Sequence, residues 1–160
     1  MTPWPTKLWR ATVVVALVLG GALADAGAAE RDQFKTAGGL AIYLGVLPAA
    51  MIQGHPKDHP EAAMHGGVPS GRHAYHVTAA VFDAATGERV EDASVEARVA
   101  EPGLAGVTRR LEPMAIADTV TYGNYFTMRG DGPYRIVLTI TRPEATQPVA
   151  LEFSYDHRTR

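Results

Sequence analysis

Five of the six histidines, His55, His59, His65, His73 and His76, fall between positions 55 and 76, and Met51 and Met64 lie in or beside the same stretch. Along the run Met51, His55, His59, Met64 and His65, imidazole and thioether groups recur at steps of one to five residues. Neutral imidazole suits copper, zinc and nickel, whereas thioether sulfur suits Cu(I). The chain has no cysteine, so thiolate metal sites and disulfides are excluded. A mixed nitrogen and thioether set therefore predicts copper, held as Cu(I), Cu(II) or both. The predicted ligands are His55, His59, Met64 and His65, with His73 or His76 completing the set.

Two carboxylates inside the cluster, Asp58 and Glu61, supply the alternative, a harder cation such as iron. Pro56 and Pro60 break any regular helix turn through His55 and His59, which removes the H-E-x-x-H hydrolase arrangement. Ser70 sits in Gly-Val-Pro-Ser-Gly, which is not a nucleophile elbow, and no glycine-rich phosphate loop is present. The chain is accordingly expected to bind rather than to catalyse.

The elements that must position these groups begin after an export signal. Lys7 and Arg10 precede the apolar run Ala11 to Leu19, and small residues follow through Ala26, the order of a secretory signal peptide. The run is well short of the roughly 20 apolar residues that span a bilayer, so cleavage after Ala26 and a periplasmic mature chain without membrane insertion are expected. Of 15 Lys plus Arg and 17 Asp plus Glu, only Lys7, Arg10 and Asp25 belong to the signal. The mature chain is therefore mildly acidic, without blocks of like charge, and unsuited to nucleic acid. Its length fits one domain. Residues 27–38 read as a flexible lead-in and 39–158 as a single β-sandwich domain.

Within that domain residues 47–72 carry four prolines and four glycines, a His/Met-rich loop of roughly 25 residues, a length that in compact domains tends to be functional. Elsewhere the period is two. Leu40, Ile42, Leu44 and Val46 alternate, as do Tyr75, Val77, Ala79 and Val81, then Val95, Ala97 and Val99, then Tyr134, Ile136, Leu138 and Ile140, and finally Val149, Leu151, Phe153 and Tyr155. The pattern predicts an all-β immunoglobulin-like β-sandwich of about seven strands. The strands His73 to Asp83 and Val90 to Ala100 are expected to pair as a hairpin across the turn at Gly87. On a strand, alternate residues share a face, so His73 and His76 point oppositely unless a bulge intervenes near Ala74. His157 extends the inward series of Phe153 and Tyr155. Met114 and Met128 read as core filler, with ligation the other option.

The stretch Gly71 to Val95, with Asp83, Gly87, Asp92, Ala93 and Val95 at its turn and strand positions, resembles the YtkA-like and FixH-like extracytoplasmic domains. The segments Gly123 to Phe126 and Gly132 to Leu138 resemble the closing hairpin of the same domains, so that the likeness spans about residues 71–141. This resemblance implies a periplasmic sandwich engaged in metal handling or oxidase assembly, with a membrane transporter or oxidase-assembly protein as partner. It implies no metal ligands, because the His/Met loop is not part of that pattern. Three functions follow: a periplasmic copper carrier or chaperone, an accessory protein for transport of iron or another cation, and a metal-free interaction module.

Overall fold

The computed structural model describes residues 33–53, 67–116 and 118–159. The expected signal peptide and the ligands His55, His59, Met64 and His65 lie outside the described residues. Eight strands are present: β1 (Phe34–Ala37), β2 (Leu40–Pro48), β3 (Ala74–Asp83), β4 (Ser94–Ala100), β5 (Val107–Ile116), β6 (Thr119–Thr127), β7 (Gly132–Thr141) and β8 (Val149–His157). One short helix, α1 (Ala49–Gln53), follows β2 directly.

All pairings are antiparallel, in the order β1-β2-β3-β6-β5-β4-β7-β8. The strands form two facing sheets that share β5. Val107 to Leu111 pair with β4, and Glu112 to Ile116 pair with β6. A strand that changes sheets makes a corner of a sandwich. At this corner the Asn124 side-chain amide donates to the Arg110 carbonyl at 2.7 Å, and Pro113 brings no N–H that would need a partner. The β-sandwich expected from the alternation is thus present, and the inward sets from both sheets form one core. Ile136, Leu138 and Phe153 are essentially inaccessible in it.

Two local expectations are corrected. Residues 34–37, read as part of a flexible lead-in, form β1 and bring the strands to eight. Phe34 packs on Tyr43 with ring centroids 4.5 Å apart, and the Lys35 ammonium donates to the Glu152 carbonyl at 2.6 Å. These contacts draw β1 towards β8 and narrow the open side of the sandwich. The hairpin between the strands at 73–83 and 90–100 does not form. The returning chain makes the Phe82–Arg89 bridge, and Val90 N–H donates to the Val81 carbonyl at 2.9 Å. It then crosses to the opposite sheet, where β4 pairs with β5 and β7. Alternation settles which residues face the core, but it does not settle which sheet a strand joins.

The crossover is pinned by Tyr122. Its buried hydroxyl donates to the Val90 carbonyl at 3.1 Å and accepts from the Ala93 N–H at 2.9 Å, and burial raises its pKa. Tyr122→Phe is expected to strand both backbone groups and cost about 2 kcal/mol, read as a lower midpoint in thermal unfolding. An unchanged midpoint would show that the crossover is held by packing alone.

Candidate metal centre

The alternation of β3 turns Tyr75 and Val77 into the core and His76 onto the outer face of the five-stranded sheet. His76 is nevertheless only 2% exposed. Its cross-strand partner is Tyr125, and the two rings stack at 4.7 Å and 28°. Tyr125 in turn packs with Ala49 and Ile52 of α1, and Val68 and Ala74 pack against the same small cluster. The helix therefore roofs the tyrosine that covers the histidine.

Two residues before Tyr125 on the same face stands Gly123. A Cβ built there would meet His76 Nε2 at 2.6 Å, Met114 Cε at 2.7 Å and Met114 Sδ at 3.1 Å. The imidazole nitrogen and the thioether sulfur thus approach one point above a glycine, where the Cβ of any other residue would displace at least one of them. Glycine inside a strand commonly marks such a close approach. Gly123 is flanked across the sheet by Thr78 on β3 and by Glu112 on β5, and Met114 is opposite Thr121. An imidazole nitrogen and a thioether sulfur make a donor pair that fits copper in either state. Among the described residues no three His, Asp or Glu side chains converge; the candidate centre consists of His76 and Met114.

The other expected ligands lie apart from this pair or outside the described residues. His73 is half-buried in a cleft of about 840 Å³ at one end of the sandwich, lined also by Met51, Tyr75 and Tyr155. There it accepts a hydrogen bond from Arg72 Nε at 3.2 Å. Segment 54–66, with His55, His59, Met64 and His65, joins α1 to Val68, so both flanks are rooted in the cluster around Tyr125. Met128 is buried in the main core. His157 is 1% exposed, shares a 2.7 Å hydrogen bond between Nδ1 and the Gly130 carbonyl, and sits among Tyr75, Tyr134 and Tyr155. The Tyr134 hydroxyl donates to Glu101 at 2.7 Å and holds that carboxyl below the usual range. This end of the molecule is a structural clasp.

Sequence reasoning left Met114 between core and site and passed over Gly123 as a functional position. The available signal was a glycine inside the aromatic strand Tyr122-Gly123-Asn124-Tyr125-Phe126, together with a methionine that alternates with Glu112 on β5.

A β-sandwich that seats an imidazole and a thioether over a strand glycine defines a β-rich, metal-related class of protein. The chain matches the Fe2+ transport protein family over residues 36–159 and belongs to it. The earlier likeness to YtkA-like and FixH-like domains holds only at the level of β-rich architecture.

Among solved structures the fold is similar to a copper-bound variant of FetP from uropathogenic Escherichia coli strain F11. That match has 15% identity and a TM-score of 0.58, covering 79% of this chain and 95% of that one. FetP as isolated after expression in the periplasm matches at 16% identity and a TM-score of 0.57, over 78% and 91%. A DUF4426 family protein from Pseudomonas aeruginosa PAO1 matches at 14% identity and a TM-score of 0.60, over 80% and 95%. No curated protein sequence matches the chain. Among the described residues no helix is long and apolar enough to cross a membrane.

Proposed function

We propose that the chain is a periplasmic metal-binding accessory protein of cation transport, not an enzyme, that takes copper at His76 and Met114. The observation that carries this reading is the approach of His76 Nε2 and Met114 Sδ to one point above Gly123. Membership of the Fe2+ transport protein family supports the transport role, and the copper-bound state of a protein of similar fold supports copper. His55, His59, Met64 and His65 are proposed as further donors from segment 54–66. The partner is proposed to be a membrane transporter that receives or supplies the cation. The second reading, iron as the cargo, is favoured by the family itself.

The test is a titration of residues 27–160 with Cu(I) under reducing conditions and with Cu(II), Zn(II) and Fe(II) separately, each against a competing chelator. Wild-type protein should bind copper one to one. His76→Ala should lose affinity for both copper states by at least about 100-fold, since loss of an outer partner alone typically costs 10- to 100-fold. Met114→Leu should weaken Cu(I) more than Cu(II), because the thioether is the soft donor. Copper affinity unchanged in both variants would remove the site, and preference for Fe(II) would select the second reading.

A further inference from the structure

The cleft at the His73 end of the sandwich shares no lining residue with the His76 and Met114 pair, and its chemistry is different. Its volume of about 840 Å³ lies within the range of about 300–1,000 Å³ usual for small-molecule sites. Arg72 Nε donates to His73 Nε2, so a guanidinium occupies the nitrogen that a metal would need, and the neutral ring carries its proton on Nδ1. The other N–H groups of Arg72 remain for an acceptor. Among the described residues no carboxylate pairs with them. The one carboxylate among the described lining residues, Asp156, is already bound by Arg158, whose Nε and Nη2 lie 3.2 and 3.0 Å from Oδ2. Burial raises the pKa of Tyr155, with Tyr75 and Asp156 adding to the effect, so its phenol stays a neutral donor. The spare polar capacity of the cleft is therefore that of donors, with one positive charge in excess. Around these donors stand the rings of Tyr75 and Tyr155, together with Pro48 and Met51. Met51 is 62% exposed, and its unbranched thioether chain can follow the outline of an apolar guest.

We propose that this cleft is a second binding site, independent of the metal centre, for a small aromatic carboxylate. The planar guanidinium of Arg72 matches the two oxygens of a carboxylate, and a charge-assisted pair of this kind is roughly twice as strong as a neutral hydrogen bond. The ring of the ligand lies against Tyr75, Tyr155 and Met51, where burial of its apolar surface adds affinity. Charge and ring are both needed. An inorganic anion leaves the aromatic walls wet, and a neutral ring leaves the guanidinium without its partner.

The experiment titrates the metal-free protein with benzoate, acetate and benzamide and follows the methionine methyl groups by NMR. Benzoate is expected to shift the Met51 methyl saturably and to leave that of Met114 in place. Acetate lacks the ring and benzamide lacks the charge, so each should bind at least about tenfold more weakly. Arg72→Gln should weaken benzoate at least about tenfold, whereas Arg135→Gln, an exposed guanidinium on β7, should stay within about threefold of wild type. Thermal unfolding establishes that each variant is folded. His76→Ala should bind benzoate as wild type, and a loss there overturns the independence of the two sites. The proposal also fails if benzoate does not saturate, if acetate or benzamide binds as tightly, if the shift appears at Met114, or if Arg72→Gln and Arg135→Gln behave alike. Should Arg72→Gln not fold, Arg72→Lys replaces it. That variant keeps the charge and loses the planar fork, so weaker binding than wild type is expected and equal binding overturns the assignment.

Discussion

Gly123→Ala is expected to abolish copper binding by a protein that still folds and still carries both His76 and Met114. The added methyl would sit 2.6 Å from His76 Nε2 and 2.7 Å from Met114 Cε, closer than real Cβ atoms come to other atoms. The thioether end is flexible and can swing aside, but that movement takes the sulfur away from the nitrogen. The imidazole cannot yield as easily, because Tyr125 stacks on it. Gly123 is not among the glycines with positive φ, so alanine meets no backbone strain there. The side chains can adjust on the outer face without opening the main core, and the stability cost should stay within the range of about 1–3 kcal/mol found for overpacking. Loss of affinity should therefore exceed 100-fold, comparable to removal of a ligand. Chelator competition reads the affinity and thermal melting reads the fold. Full copper binding by Gly123→Ala would place the cation away from the His76 and Met114 pair.

How much of this centre is legible in the sequence depends on whether a feature is local. The series Tyr75, Val77, Ala79 and Val81 is local, so the inward face of β3 and the outward direction of His76 follow from alternation alone. The same reasoning carries the inward series of β8 to His157, which is buried. Met114 differs because its neighbour across the sheet depends on β5 leaving β4 at Leu111 and joining β6 at Glu112. Nothing in the alternation of residues 107–116 marks that transfer. The failed hairpin has the same origin, since Val95, Ala97 and Val99 suit the inner face of either sheet. In Phe34 to Ala37 the burial pattern is irregular and the strand is short, so β1 gives little periodic signal and depends on the neighbouring Tyr43 and Glu152. The histidine cluster directs attention to metal chemistry through its density. Its described member at the centre is His76, and that residue is singled out by a tyrosine and a glycine on a strand distant in sequence.

The dependence of His76 on its cover leads to an expected contrast between two large-to-small changes. Tyr125→Ala removes the ring stacked on His76 and opens the small cluster that holds Ala49 and Ile52 of α1. Phe153→Ala removes a ring that is 1% exposed in the main core, on the inner face of β8. Truncating a buried aromatic side chain typically costs about 3–5 kcal/mol, and Phe153→Ala should fall in that range. Tyr125→Ala should cost less, about 2–3 kcal/mol, because its cluster is small and can partly collapse. The order should reverse for metal. With Tyr125 gone, the imidazole loses the face that fixes its orientation, and Ala49 and Ile52 of α1 lose the ring they pack on. Copper affinity of the folded Tyr125→Ala protein should fall by about 10- to 100-fold, as when a group that orients a ligand is lost. Folded Phe153→Ala protein should bind as wild type. Measured together, melting and chelator competition separate the two roles. If both variants lose affinity in proportion to stability, the centre depends on the general integrity of the sandwich. If affinity falls in Tyr125→Ala alone, the stacked ring is a positioning element of the site, and the helix packed on that ring supports His76 through it.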